Sequence, residues 1–74
     1  MANVLIIDDD VEMCSMLADL VTSVNYDAEY ITTLHEGVDR ARNGKFDVVF
    51  LDVRFPGGSG LDVMQEILDI KFPP

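Results

Sequence analysis

Four acidic residues stand where two apolar stretches of the chain end. Asp8, Asp9 and Asp10 directly follow V-L-I-I, and Asp52 ends a second stretch, F-D-V-V-F-L. Carboxylates are good ligands for Mg²⁺, and a carboxylate can also attack phosphorus as a nucleophile. The four residues therefore predict metal binding or phosphoryl chemistry, provided that the fold brings them together.

The two apolar stretches have the pattern of strands buried in a parallel sheet, because they are nearly continuous and rich in β-branched residues. We expect these strands at about 3–7 and 46–52. Acids do not belong inside such a sheet, so they must follow its carboxyl edge, where open α/β sheets bind ligands. If the strands are neighbours, Asp8, Asp9 and Asp52 converge on one point.

Helical periodicity follows the first strand. Apolar residues recur every three or four positions over 11–23, and Asp10 is a suitable N-cap. We expect the methionines of this helix in the core and Cys14 outside its apolar face, as a thiol without a role. The predicted buried face consists of Met13, Met16, Leu17, Leu20, Val21 and Val24.

The middle of the chain repeats this alternation. Asn25 suits the left-handed position after a helix, and a second strand is predicted at 26–31. Thr33 and Glu36 fit a capping box, in which each side chain binds a free backbone donor, at the start of a helix that reaches about Arg42.

A Gly-rich loop at 54–60 precedes a third predicted helix, with Ser59 as its cap. The helix is marked by Leu61, Met64, Ile67 and Leu68. The order β-α-β-α-β-α predicts a parallel α/β sheet. In a flavodoxin-like winding its strand order is 2-1-3, which makes the strand that ends at Asp52 a neighbour of the strand that ends at Ile7.

Composition limits the other classes of function. Seventy-four residues form one small domain at most, and fourteen acids against five bases give a formal charge of −9. Such a chain should repel nucleic acid and anionic membranes. Its single cysteine excludes an internal disulfide, and it contains no apolar run near 18 residues, so we expect a cytoplasmic protein.

The sequence resembles the receiver domain of bacterial two-component response regulators over its whole length. The resemblance lies in V-L-I-I-D-D-D followed, about 45 residues later, by F-L-D-V-R-F-P-G-G-S-G-L. It implies that Asp52 is the phosphoacceptor, Asp9 a direct Mg²⁺ ligand and Asp8 a water-mediated ligand. The Arg54 carbonyl corresponds to the backbone ligand.

The same resemblance implies a loop shaped by Pro56 and Gly60, with Phe55 in place of the usual methionine or leucine. It also implies a sensor histidine kinase as phosphodonor and an output such as transcription, so that the chain is a switch rather than an enzyme. Residues 1–74 correspond to the first three βα units of the domain. The family's later Thr or Ser and its Lys would lie beyond Pro74.

Two predictions concern the end of the chain. The final Lys71 to Pro74 stretch is typical of a helix exit into another element, so we expect the chain to be a fragment that stops after the third helix. Without further strands, the strand at 46–52 becomes an apolar sheet edge. This predicts self-association, exchange of segments between chains, or a missing remainder.

Two alternatives to the phosphoacceptor remain. A strand followed by Asp8 and Asp10 also resembles the first motif of haloacid-dehalogenase-type phosphatases, with Asp8 as nucleophile. That family requires Thr or Val two residues after the second acid, where this chain has Glu12. The other alternative is a module that only contacts proteins and is never phosphorylated.

Overall fold

Strands and helices alternate along the chain in the order that the sequence predicts. The computed structural model describes residues 2–52, 54 and 60–71. The second and third strands are shorter than predicted, whereas the first strand and first helix have the predicted bounds. The elements are β1 (Asn3–Ile7), α1 (Val11–Ser23), β2 (Asp27–Ile31), α2 (Leu34–Asn43), β3 (Val48–Leu51) and α3 (Gly60–Lys71).

The three strands form one parallel sheet in the order β2-β1-β3. Ile7, at the end of β1, pairs with Ile31 of β2 on one side and with Leu51 of β3 on the other. All three strands therefore end at the same edge of the sheet. This arrangement confirms the predicted flavodoxin-like strand order.

The central strand β1 lies in the middle of the hydrophobic core. Val4 is 3% exposed and the next three residues are 0% exposed, as expected for a strand covered on both faces. Leu5 and Ile7 pack with Ala41 of α2 and Ile67 of α3. The opposite face, formed by Val4 and Ile6, packs against α1.

The prediction for the buried face of α1 was right for Leu17 and Val21 and wrong for the other four residues. Cys14 is fully buried and packs on the sheet with Leu17, Ala18 and Val21. Four residues of the predicted face are exposed instead; they are Met13 (38%), Met16 (53%), Leu20 (61%) and Val24 (58%). The buried face is therefore rotated about the helix axis, away from Met16 and toward the small residues Cys14 and Ala18.

Local capping residues behave largely as expected. Asp10 accepts hydrogen bonds from the first-turn amides of α1, and Asn25 has a φ of 66°, the left-handed conformation predicted for it. The Thr33 hydroxyl accepts from the Glu36 amide, but the Glu36 carboxylate accepts from that hydroxyl rather than from a backbone donor. The capping box is therefore only half formed. The predicted cap of α3, Ser59, lies outside the described residues.

None of the helices within the described ranges has both the length and the apolar character needed to span a bilayer.

Candidate functional site

Backbone hydrogen bonds join the end of β1 to the ends of both neighbouring strands. The Asp52 amide donates to the Ile7 carbonyl at 2.9 Å, and the Asp8 amide donates to the Ile31 carbonyl of β2 at 3.1 Å. Asp8 and Asp52 are therefore the first residues after two neighbouring strands. Because the strands are parallel and in register, both side chains start from the same edge of the sheet.

Three carboxylates meet at this edge. One oxygen from each of Asp8, Asp9 and Asp52 lies within 4.8 Å of the other two. Asp8 and Asp52 are half-buried and Asp9 is exposed. The structure thus brings together the three carboxylates that the sequence predicts to converge.

Asp10 has a different role from its neighbours. Its carboxylate accepts from the amides of Glu12 and Met13 at 3.0 and 3.2 Å, which caps α1 as predicted. Its own amide donates to Asp8 Oδ1 at 3.0 Å. Asp10 therefore orients the Asp8 carboxylate.

The Asp8 carboxyl group has a pKa above its usual value of 3.8, mainly because partial burial disfavours its charged form. The nearby carboxylates of Asp52, Asp9 and Asp10 raise this pKa further, whereas the hydrogen bond from the Asp10 amide lowers it. A cation placed among these oxygens would relieve the repulsion, which for two unit charges about 4 Å apart is roughly 4 kcal/mol at an effective dielectric of 20.

Cys14 forms a hydrogen bond with the backbone of the site. Its Sγ donates to the Asp8 carbonyl at 3.3 Å. Burial raises the pKa of the Cys14 thiol, and Asp8 and Asp10 raise it further, which keeps the sulfur protonated and able to donate. The sequence interpretation missed this contact because it placed Cys14 outside the buried face of α1.

Arg54 makes two contacts with Asp52. The Arg54 amide donates to Asp52 Oδ1 at 2.9 Å, and the Arg54 Nε lies 3.8 Å from the same oxygen. The guanidinium is 90% exposed, so it is a peripheral counter-ion for the cluster. Sequence reasoning considered only the Arg54 carbonyl as a metal ligand, and that assignment stays a prediction.

The remaining loop residues of the resemblance, Phe55 and Pro56, lie outside the described residues. Gly60 is described as the first residue of α3. The role expected of it in shaping the loop also stays a prediction.

The donor set fits a hard divalent cation. It consists of carboxylate oxygens, two of them on half-buried side chains, and such oxygens suit Mg²⁺, Ca²⁺ or Mn²⁺ rather than a soft metal. The backbone of β1 and β3 holds two of the three ligand-bearing residues in fixed register. The sheet therefore fixes the backbone of two of the three candidate ligands.

Comparison with known proteins gives consistent matches. A family model described as the response regulator receiver domain matches residues 4–73. The chemotaxis protein CheY of Thermotoga maritima is 37% identical over 68 residues, which cover 90% of this chain and 57% of that protein. The transcriptional regulatory protein ZraR of Salmonella typhimurium is 31% identical, over 88% of this chain and 15% of that protein.

Solved structures agree with this match. The response regulator protein TrrA of Thermotoga maritima, in complex with Mg(2+)-BeF, has a TM-score of 0.90 at 30% identity, with 96% of this chain and 62% of that chain covered. TrrA in a complex with the histidine kinase ThkA has a TM-score of 0.86 at 29% identity, over 93% and 60% of the two chains.

The present chain thus spans between half and two thirds of the length of CheY and TrrA. The family model covers nearly all of the chain, and the strand order is the flavodoxin-like one that the sequence predicted. The chain belongs to the response regulator receiver domain family.

Proposed function

We propose that Asp52 accepts a phosphoryl group at the carboxyl edge of the sheet. The observation that carries this proposal is the convergence of Asp52 with Asp8 and Asp9, with oxygens within 4.8 Å of one another. Asp52 is half-buried at the end of β3, where open α/β sheets bind ligands. The Asp52 amide donates to the Ile7 carbonyl, and this bond fixes the backbone from which the Asp52 carboxylate extends.

Asp8, Asp9 and Asp52 are the residues proposed to hold Mg²⁺, together with the Arg54 carbonyl. Bound Mg²⁺ would offset two of the three negative charges and attract the oxygens of a phosphoryl group. Support comes from the all-oxygen donor set and from the relative TrrA, whose solved structure is a complex with Mg(2+)-BeF. Asp10 would keep Asp8 oriented through its amide, which donates to Asp8 Oδ1.

In the proposed reaction, a phosphoryl group moves from a histidine of the donor to Asp52. An oxygen of Asp52 attacks the phosphorus of a phosphohistidine, the O–P bond forms and the N–P bond breaks. The leaving imidazole nitrogen keeps the electron pair and takes a proton from solvent. The acyl phosphate carries about two negative charges where the Asp52 carboxylate carried one, and this added charge at the sheet edge would act as a switch.

The partners follow from the same proposal. The phosphodonor would be a sensor histidine kinase, as supported by the complex of TrrA with the histidine kinase ThkA. The output would be transcriptional regulation through a domain outside this chain, as supported by the relative ZraR. Residues 1–74 would then be the N-terminal three βα units of a receiver domain. A cytoplasmic location, and the absence of direct contacts with nucleic acid or membranes, stay predictions.

The test is to identify the aspartate that becomes phosphorylated. The chain is incubated with MgCl₂ and a small phosphodonor such as acetyl phosphate, and the modified residue is located by mass spectrometry after borohydride reduction. We expect modification at Asp52, and none in Asp52→Asn or in the presence of a chelator. An Asp10→Asn variant is the matched control, since it keeps the cluster of three.

Two results would contradict the proposal. Modification at Asp8 would favour the phosphatase alternative, in which Asp8 is the nucleophile. A chain that binds Mg²⁺ but is never modified would favour the module that only contacts proteins. Circular dichroism of each variant distinguishes these results from loss of the fold.

A further inference from the structure

Asp8, one of the three clustered acids, is bound at two of its atoms by residues at the start of α1. The Cys14 thiol donates to the Asp8 carbonyl at 3.3 Å, and the Asp10 amide donates to Asp8 Oδ1 at 3.0 Å. The Cys14 amide also donates to the Asp10 carbonyl at 3.0 Å, so the three residues form a closed ring of hydrogen bonds. The backbone and the carboxylate of Asp8 are therefore both tied to the same end of one helix.

The carbonyl that Cys14 binds belongs to the peptide group between Asp8 and Asp9. A peptide group is planar, so a hydrogen bond to its oxygen also restrains the direction in which the chain continues to the Asp9 Cα. Asp9 is exposed and lies outside the strands and helices. The bond from Cys14 thus acts on the placement of two of the three carboxylates in the cluster.

The Cys14 side chain is suited to this contact because it is itself held by the core. It is fully buried and packs with Val4 and Ile6 of β1. Cysteine behaves as a small apolar side chain that also carries a weak S–H donor, whereas alanine or valine would offer no donor at all. Cys14 therefore connects the packed face of the sheet to the backbone of the acidic cluster.

We propose that Cys14 is a positioning residue for the Mg²⁺ site, which holds the peptide group between Asp8 and Asp9 in place for the bound ion. This inference rests on the proposed function, in which both acids hold Mg²⁺. Ligands that are already in place lose little conformational freedom when the ion binds. Loss of the bond from Cys14 should therefore weaken Mg²⁺ binding, although every ligand remains.

Calorimetric titration with MgCl₂, in the absence of any phosphodonor, tests this role. Cys14→Ala removes the donor, and we expect it to lower the Mg²⁺ affinity about threefold, since one hydrogen bond from a weak donor contributes modestly. Cys14→Ser supplies a hydroxyl donor at the same position and should recover most of the affinity. If circular dichroism shows that Cys14→Ala does not fold, Cys14→Val replaces it, because valine fills the space without a donor.

Val21→Ala is the matched control for a loss of packing. Val21 packs against the same cluster as Cys14 but lies in the last turn of α1, far along the helix from Asp8. This substitution should lower the free energy of unfolding and leave the Mg²⁺ affinity unchanged under conditions in which the chain is folded. The control separates an effect on stability from an effect on the metal site.

The thiol also provides a spectroscopic readout that does not depend on stability. The chain contains one cysteine, so the S–H stretching band in its infrared spectrum comes from Cys14 alone. Because the thiol and the ion share Asp8, we expect Mg²⁺ to shift this band. The midpoint of the shift should fall at the Mg²⁺ concentration that calorimetry gives for half-saturation.

Three results would overturn the inference: equal Mg²⁺ affinity in the unmodified chain and Cys14→Ala, a loss in Cys14→Ser as large as in Cys14→Ala, or an S–H band that saturating Mg²⁺ does not move. An unmodified chain that does not bind Mg²⁺ would overturn the inference together with the proposed metal site. A chain that gives the expected binding results but is never phosphorylated at Asp52 would contradict the proposed function and support the role of Cys14.

Discussion

The amide of Asp52 donates a 2.9 Å hydrogen bond to the carbonyl of Ile7, the residue that precedes Asp8. This bond fixes the register in which the ends of β1 and β3 pair. A shift of one residue in this register would move every side chain of β3 to the other face of the sheet. The distance between the Asp8 and Asp52 carboxylates therefore depends on the packing of the whole sheet.

Removing one carboxylate from the cluster should weaken Mg²⁺ binding. We expect Asp9→Asn to lower the affinity at least about tenfold, because each carboxylate close to a divalent ion contributes several kcal/mol of Coulomb attraction even at an effective dielectric of 20. Asp9 is exposed, so this substitution should not alter the fold. Isothermal titration calorimetry measures the affinity.

Asp19→Asn is the matched control for this measurement. It removes the same charge from an exposed position in the middle of α1. Its Mg²⁺ affinity should equal that of the unmodified chain. Equal affinities for Asp9→Asn and Asp19→Asn would mean that net charge, rather than the cluster, attracts the ion.

The raised pKa of Asp8 should make the metal-free protein less stable as the pH increases. Because the folded state binds this proton more tightly than the unfolded state, the stability that protonated Asp8 provides is present below pH 3.8 and is lost as the pH rises through the raised pKa. Asp8→Asn should therefore raise the thermal unfolding midpoint at neutral pH, and this gain should vanish in acid.

The Asn side chain can still accept from the Asp10 amide, so the substitution tests the charge alone. Saturating Mg²⁺ should remove the advantage of Asp8→Asn, because the ion stabilises only the carboxylate form. A gain in stability that stays constant across the pH range would contradict the assignment of the shift to Asp8.

The ion pair between Glu29 and Arg40 should stabilise the fold above acidic pH. Two nitrogens of the Arg40 guanidinium donate to the two carboxylate oxygens of Glu29, and the guanidinium also stacks over the Phe46 ring at 5.4 Å. The hydrogen bond from Arg40 lowers the pKa of Glu29 below its usual value of 4.5. The stability from this pair is therefore present above pH 4.5 and is lost as the pH falls through the lowered pKa.

We expect Arg40→Met to lower the unfolding midpoint at neutral pH and to have a smaller effect in acid, where Glu29 is protonated. Both side chains are about two-fifths exposed, so the effect should be modest and should decrease in high salt. The control is Arg42→Met, because Arg42 Nη1 lies 3.7 Å from Asp39 in a more exposed pair. Thermal melts that show the same loss for both variants would contradict the prediction.

Gly37 allows α2 to lie close to β1. A Cβ at this position would lie 2.8 Å from both Cδ1 and Cγ2 of Ile7, a side chain that is fully buried. Overpacking a core costs about 1–3 kcal/mol, whereas alanine favours a helix over glycine by about 1 kcal/mol. We expect Gly37→Ala to reduce the free energy of unfolding by up to about 2 kcal/mol.

Chemical denaturation of Gly37→Ala, Ile7→Val and the double variant checks this contact. Ile7→Val removes Cδ1, one of the two closest atoms, so the double variant should be more stable than the sum of the single effects predicts. Strict additivity would show that the loss in Gly37→Ala does not come from Ile7.

The amino-acid sequence by itself determined the order of the elements, the convergence of the three acids and most of the caps. These features depend on short-range patterns. V-L-I-I forms a strand, and the acids must follow it. Asp10 accepts hydrogen bonds from amides only two and three residues away, and Asn25 depends only on its own backbone conformation. Parallel pairing then places the carboxyl ends of neighbouring strands at one edge.

Only the tertiary structure decided which way α1 faces and which long-range partners meet. Cys14 is buried and Met16 is exposed because packing on the sheet sets the rotation of α1 about its axis, and the apolar residues of the helix fit more than one rotation. The Glu29–Arg40 pair likewise joins side chains of a strand and a helix 11 residues apart. Contacts of this kind arise from the relative placement of whole elements, which the packing of the core sets and a local pattern does not encode.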